Sequence, residues 1–383
     1  MFRPPLRFHP NGKFKIMQIS DVQNCNGMTD RSVDLICAAL DKEAPDFVVF
    51  TGDQIKGYDP RFYLGSKAAK DRMTRNTIAA IIAPLEERGI PFTFVFGNHD
   101  HDCPTCEAEQ IRIYQESPLC YTQDTPGVPG YANHAVQILR SDSDAYALNL
   151  YMLDSHASKG FSFESLDPAQ IQWYRDTRDE LARNNGGRFV PSMLFQHICV
   201  EEIMELFEEV PRGTRGALEG FRNYRGKFFV LDTFKTAEGS FYGELPSAPD
   251  TNAGLFNAAA ERGDVMGMYF GHDHNNAFHG KVRGIDLGYS PSAGFTAYGP
   301  GRKRGVRVFS FDENEIANYQ TWVLTDAQLL PKHAHLPWYT PFADRIPSSW
   351  GAAKPLMRRG VMTAVLGIAG GVAVVANRSL RSR

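Results

Sequence analysis

The chain has 383 residues, of which 43% are hydrophobic and 22% charged. That balance supports one large or two smaller folded domains and excludes disordered, collagen-like and disulfide-scaffold classes. The formal net charge of −3 is unevenly spread, because the segment from Lys354 onward holds six Lys or Arg and no acid, which leaves −9 on residues 1–353. An acidic body has the wrong sign for tracking a phosphate backbone, so no nucleic-acid partner is expected.

Along the body, short apolar runs rich in β-branched and aromatic residues alternate with segments of helical period. The runs 14–19, 47–51, 91–96, 145–153, 189–195 and 265–270 predict strands. Helices are predicted over 30–42, 70–88, 167–184, 200–208 and 253–262, the third opening on Asp167 as N-cap with Pro168 behind it. Such alternation predicts an α/β sheet covered on both faces. Beyond residue 275, alternating segments near 278–288, 305–311 and 317–324 predict an antiparallel finish to the same fold. The connections 55–70, 101–134 and 211–252 are long and are expected to shape a binding site or its lids. Glu201, Glu202, Glu205, Glu208 and Glu209 read as the solvated face of the helix over 200–208.

The body is expected to span 1–329 and a proline-rich linker 330–355, followed by a basic tail over 356–383 that encloses the uncharged run 360–376. As a helix those 17 residues reach about 25 Å, the lower edge of membrane-spanning lengths. Arginines bracket the run, which favours a C-terminal membrane anchor over a buried closing helix. Gly367 and Gly371 stand at GxxxG spacing, a basis for weak self-association of the tail. The N-terminal stretch carries no apolar signal-peptide region, so the body is expected in the cytoplasm, with its six cysteines reduced. Cys103 and Cys106 form a CxxC pair without a second pair at zinc-site spacing, and a structural or incidental role is expected for them.

The residues that carry chemistry stand directly after the apolar runs. The runs end in Ser20-Asp21-Val22-Gln23, Gly52-Asp53-Gln54, Gly97-Asn98-His99-Asp100, Gln196-His197 and Gly271-His272-Asp273-His274. These clusters fall at the carboxyl ends of buried strands, where open α/β sheets place their ligands. A lone Asp there is usually a helix cap, and a lone buried His usually a satisfied core residue. Together, however, they provide carboxylates, an amide and three imidazoles, the donor mix for two divalent ions of the Mn, Fe or Zn type. Two cations roughly 3.5–4 Å apart need a shared anion between them, and Asp53 on its glycine turn is the candidate. Such a pair would lower the pKa of a shared water and stabilise charge on phosphoryl oxygens.

The ordered series DVQ, GDQ, GNHD, strand-terminal His and GHDH covers residues 13 to about 324 and resembles the calcineurin-like metallophosphoesterase superfamily. LYMLDS at 150–155, QIQWY at 170–174, His197-Ile198 with Glu202, GDV at 263–265 and GYSPSAGFTAYG at 288–299 are similar to its short purple-acid-phosphatase-like branch, which includes a yeast cell-cycle-regulating protein phosphatase. The resemblance implies a four-layer α/β/β/α sandwich with metals at its crest, to which the hydrophobic tail adds a C-terminal helix. It implies Asp21, Gln23, Asp53 and His274 around one metal and Asp53, Asn98, His197 and His272 around the other. His99 would stand beyond them as donor to the phosphate or the leaving alkoxide. Asp100 would either orient His99 or cap the next turn, and His156 and Asn275 would line the substrate pocket.

The implied activity is phosphoester hydrolysis by metal-bound hydroxide, with phosphomonoesters ahead of nucleotide or lipid-linked diesters and a non-catalytic membrane scaffold as the rival. Two positions depart from the family pattern. Gln23 stands where most members have His, and its amide oxygen is a weaker, harder ligand. Lys56 stands where purple acid phosphatases have Tyr, so no iron-to-tyrosine colour is expected, and Tyr58, two residues on, is not expected to compensate.

Overall fold

The computed structural model describes residues 3–159, 162–332 and 335–345. The apolar run 360–376, its glycine pair and the linker–tail boundary lie outside the described residues. Among the described residues no helix is long and apolar enough to cross a membrane.

Two sheets carry the fold. The first has five strands in the order Gln320–Thr325, Gly305–Asp312, Lys13–Ile19, Phe47–Thr51 and Phe92–Val95, the last three mutually parallel. The second has seven, in the order Leu6–Arg7, His134–Leu139, Tyr146–Met152, Ser192–Phe195, Val265–Phe270, Ile285–Tyr289 and His279–Val282. Strand periodicity sorts the apolar residues into layers. Phe14, Ile16, Phe47 and Val49 point between the sheets, where they meet Leu148, Met193, Phe195 and Tyr269. Their neighbours Met17, Ile19, Val48 and Phe50 point the other way, onto Leu35, Ile36 and Leu40 of helix Asp30–Glu43 and Ile78, Ile81 and Leu85 of helix Lys67–Glu86. On the far side, Tyr151, Leu194 and Phe270 pack against Ile171, Tyr174 and Leu181 of helix Pro168–Asn184 and against Leu255 and Phe256. Three cores therefore separate four layers, helix–sheet–sheet–helix. Each fully buried large apolar side chain in them contributes roughly 1.5–3 kcal/mol. Polar side chains also join the two sheets: Gln18 donates to Thr51 Oγ1 at 2.9 Å and to the Phe270 carbonyl at 3.0 Å, and buried Arg307 donates to the Tyr289 carbonyl at 2.9 Å.

The Asp167 cap is present as a reciprocal box. Its carboxylate accepts from Ala169 N at 2.8 Å, and Gln170 Oε1 accepts from Asp167 N at 2.8 Å. The antiparallel finish is present too, divided between the sheets: Gly305–Asp312 and Gln320–Thr325 extend the first, while His279–Val282 extends the second. The expectations for 200–208 need correction. No helix covers 200–208; a 3-10 turn, Glu201–Leu206, leads into strand Phe207–Val210. That strand pairs with Phe228–Leu231, and Leu218–Glu219 completes a separate three-stranded sheet. A partner some twenty residues downstream thus overrides local helical preference. Glu202 is not solvated either; it is buried and accepts from Asn252 Nδ2 at 2.9 Å. The connection 101–134 contains helix Glu107–Gln115.

Candidate metal centre

The carboxyl ends of the parallel strands in both sheets converge on one point. Asp21 N donates to the Gly52 carbonyl at 3.1 Å and Gln23 N to the Asp53 carbonyl at 2.9 Å, so the first two loops are stitched together. Asp21, Gln23, Asp53 and His272 have φ of 54°, 43°, 52° and 71°. These left-handed conformations cost of order 1–3 kcal/mol each in non-glycine residues and are held by the surrounding bonds. Two glycines make the approach possible: a Cβ on Gly52 would overlap the His197 ring, and one on Gly97 would overlap Asp53.

Ligand atoms of Asp53, His197 and His272 lie within 4.8 Å of one another, as do those of Asp21, Asp53 and His274. Asp53 belongs to both groups. Asn98 Oδ1 is 3.1 Å from His197 Nε2, and the Gln23 amide nitrogen is 2.8 Å from Asp53 Oδ2 and 3.2 Å from His274 Nε2. The seven side chains expected from the motifs are brought together, Gln23 with its amide nitrogen toward the cluster and its oxygen on Tyr58. The imidazoles are aimed by carbonyls: His197 Nδ1 donates to Thr51 O at 2.9 Å and His274 Nδ1 to Tyr298 O at 2.7 Å, which turns both Nε2 lone pairs inward.

Burial opposes the Asp53 charge, yet His197 and His99 hold its carboxyl well below the usual carboxylate range. Burial also opposes charge on His197, but Asp53 outweighs it and lifts the imidazole to about 9, while burial and the neighbouring His197 drive His272 well below its ordinary value. Burial opposes charge on His274 too, but Asp21 raises its pKa, so the acids favour protons on two imidazoles, a charge that bound cations would supply instead. Shared carboxylate, inward nitrogens and excess negative charge fit two divalent cations.

His99 stands at the edge of this cluster. Its backbone N–H donates to Asp53 Oδ1 at 2.8 Å, and its Nε2 lies 4.0 Å from Asp53 Oδ2. The orienting carboxylate is Asp102, 2.8 Å from Nδ1, and not Asp100. Helical geometry decides this, because residues three apart share a face and adjacent ones do not. Asp100 is instead the cap: it accepts from Gly97 N at 2.8 Å and Ile55 N at 2.7 Å, which locks the second and third loops together. His156 is tied to Gln170 Oε1 at 2.7 Å, and its N–H donates to Asp154. Asn275 follows His274 with its N–H on Glu244 at 2.8 Å.

Several neighbours of the centre are not announced by the sequence. Tyr58 does reach the centre: its hydroxyl donates to Gln23 Oε1 at 3.0 Å and its ring packs 4.3 Å from that of His99. Burial, then Asp53, raises its pKa, so it is a neutral phenol. Tyr298 stacks on His274 at 4.2 Å, and Phe163 meets His272 edge-on at 4.5 Å. Lys56 donates to Thr296 O at 2.8 Å and so holds the glycine- and tyrosine-rich loop. For Asp102 the i,i+3 spacing from His99 becomes a signal once the turn after Gly97 is known to be helical. The CxxC pair is split, with Cys103 buried against Thr74 at 3.3 Å and Cys106 exposed.

Beneath His99, His101 bridges two acids, Glu107 at 2.8 Å and the fully buried Asp154 at 3.1 Å. Burial disfavours its charge, but the bonds to Asp154 and Glu107 prevail and push its pKa from 6.5 up to about 10. A raised folded-state pKa stabilises most fully below the unfolded value, and the contribution fades as pH climbs through the folded one. His101→Gln should cost roughly 3 kcal/mol at pH 6, since it strands buried Asp154. The difference from wild type should shrink between pH 6.5 and 10. Urea midpoints across that window check it, and parallel pH profiles for the two proteins would show that His101 is not a buried cation.

The profile of the calcineurin-like phosphoesterase family matches residues 14–218. The chain belongs to the calcineurin-like phosphoesterase family. This phosphoesterase is 28% identical over 368 residues to an Arabidopsis thaliana protein described as probable inactive purple acid phosphatase 29, with 85% of each chain covered. It is 26% identical over 349 residues to phosphatase DCR2 of Saccharomyces cerevisiae, with 81% of this chain and 53% of the yeast protein covered. Among solved structures, a dimetal phosphatase from Danio rerio aligns with a TM-score of 0.47 at 14% identity, over 82% of this chain and 98% of its own. The phosphoesterase is a hydrolase of phosphoester bonds, and two divalent metals fit its centre.

Proposed function

We propose that the phosphoesterase is a dinuclear-metal phosphomonoesterase, with Asp21, Gln23, Asp53 and His274 as donors to one cation and Asp53, Asn98, His197 and His272 to the other. One observation carries this reading: Asp53 contributes to both groups of ligand atoms. Bound there, the metals supply an activated water and neutralise charge on the phosphoryl group. The chain's own residues position the reaction. Asp53 fixes the His99 backbone and Asp102 holds the Nδ1 side of the ring, which leaves Nε2 facing the centre, from where it would protonate the departing alkoxide. The word phosphatase in the name of the yeast relative supports monoesters. The composition of residues 360–376, between Arg359 and Arg378, supports a membrane anchor with the catalytic body on the cytoplasmic side.

The test is a panel of p-nitrophenyl phosphate and its bis ester with Mn²⁺, Fe²⁺, Zn²⁺ and Mg²⁺. The monoester should show the higher kcat/KM. A preference for the diester would replace the monoester reading, whereas no turnover at full metal occupancy would support a non-catalytic scaffold, which the name of the plant relative fits.

A further inference from the structure

We propose that Arg222 forms an anion subsite beside the metal centre and receives a second acidic group of the substrate, a carboxylate or phosphate carried next to the scissile phosphomonoester; this rests on the phosphomonoesterase reading. The geometry begins at His272. The Phe163 ring stands edge-on to that imidazole with centroids 4.5 Å apart and planes at 79°. The Arg222 guanidinium carbon lies 4.6 Å from the centroid of the same ring. One phenyl ring is thus all that separates a fixed positive charge from a side chain of the metal cluster.

Arg222 is also preorganised. The Phe221 ring lies 5.0 Å from its guanidinium, and NH1 donates to the Ala248 carbonyl at 2.9 Å. Asp250 lies 3.6 Å away, an ion-pair distance longer than a hydrogen bond. A guanidinium has five N–H donors. Among the described residues only NH1 is within hydrogen-bond distance of a protein acceptor, and the side chain keeps 18% of its surface exposed. Donors in a planar fork, stacked on an aromatic face, suit a carboxylate or phosphate and lose little freedom when they engage one. The backbone supports a functional role: Arg222 has φ of 50°, a strained conformation for an arginine, within the long 211–252 excursion that holds it against Phe163. In a body of net −9, a cation fixed at this spot runs against the prevailing charge.

The experiment uses the metal-loaded full chain and three phosphopeptides of one sequence, in which the residue beside the phosphorylated side chain is Asn, Asp or a second phosphoserine. Wild type should favour the Asp and phosphoserine peptides over the Asn peptide by about tenfold in kcat/KM, mostly through KM. Arg222→Ala should erase that preference and Arg222→Lys should keep part of it, with metal content unchanged in both. The Asp and phosphoserine arms separate a carboxylate from a phosphate as the second group. Equal losses on all three peptides would show that Arg222 only props the loop, and a wild type without preference would also overturn the subsite. If the fully metallated wild type turns over p-nitrophenyl phosphate but none of the peptides, the subsite is overturned and the phosphomonoesterase reading stands; if it turns over neither, that reading fails and takes the subsite with it.

Discussion

Asp53→Asn should lower kcat/KM against p-nitrophenyl phosphate by roughly a thousandfold and leave fewer than two metals per chain. Asp53 is the only side chain common to both ligand groups, so its loss weakens both cations at once. Metal stabilisation of developing phosphoryl charge is worth several kcal/mol, and each 1.4 kcal/mol is tenfold in rate. An amide has one oxygen and no charge, so it cannot hold two cations against their mutual repulsion. Metal analysis beside steady-state kinetics checks this. A variant that keeps two metals and the wild-type rate would remove Asp53 from the bridge.

His99→Ala should lower kcat by about 10²- to 10⁴-fold, the usual range for a positioned proton donor, with both metals retained. His99 is outside both ligand groups, and alanine keeps the backbone N–H that donates to Asp53 at 2.8 Å. The loss should depend on the leaving group. p-Nitrophenolate departs without much protonation, whereas an alkoxide needs a proton, so the variant should be impaired far more on alkyl phosphates than on p-nitrophenyl phosphate. Equal impairment on both would show that His99 acts on the phosphoryl oxygens and does not protonate the leaving group.

The central strands are legible in the sequence because their residues are buried on both faces, and a continuous apolar run such as Phe47–Thr51 has few alternatives. The seven side chains of the candidate centre are legible for a related reason: strand ends in such sheets lie along one edge, so polar residues immediately after apolar runs become neighbours. The segment 200–208 reads as a helix because its pairing partner, Phe228–Leu231, is remote in the chain, and nothing within FEEV announces it. Asp100 and Asp102 are hard to tell apart in sequence because both lie close to His99, and only the helical turn shows which one shares its face.

By itself, then, the sequence determined the fold class, the family and which side chains gather at the candidate metal centre, since each depends on patterns within single strands and the loops directly after them. The tertiary structure decided what surrounds that set. Tyr58 on Gln23, Asp100 across two loops, Phe163 against His272 and Arg222 beyond it are contacts between segments up to scores of residues apart, mostly outside the motifs. Side-chain contacts of that kind follow from how layers and excursions pack, and no local periodicity encodes them.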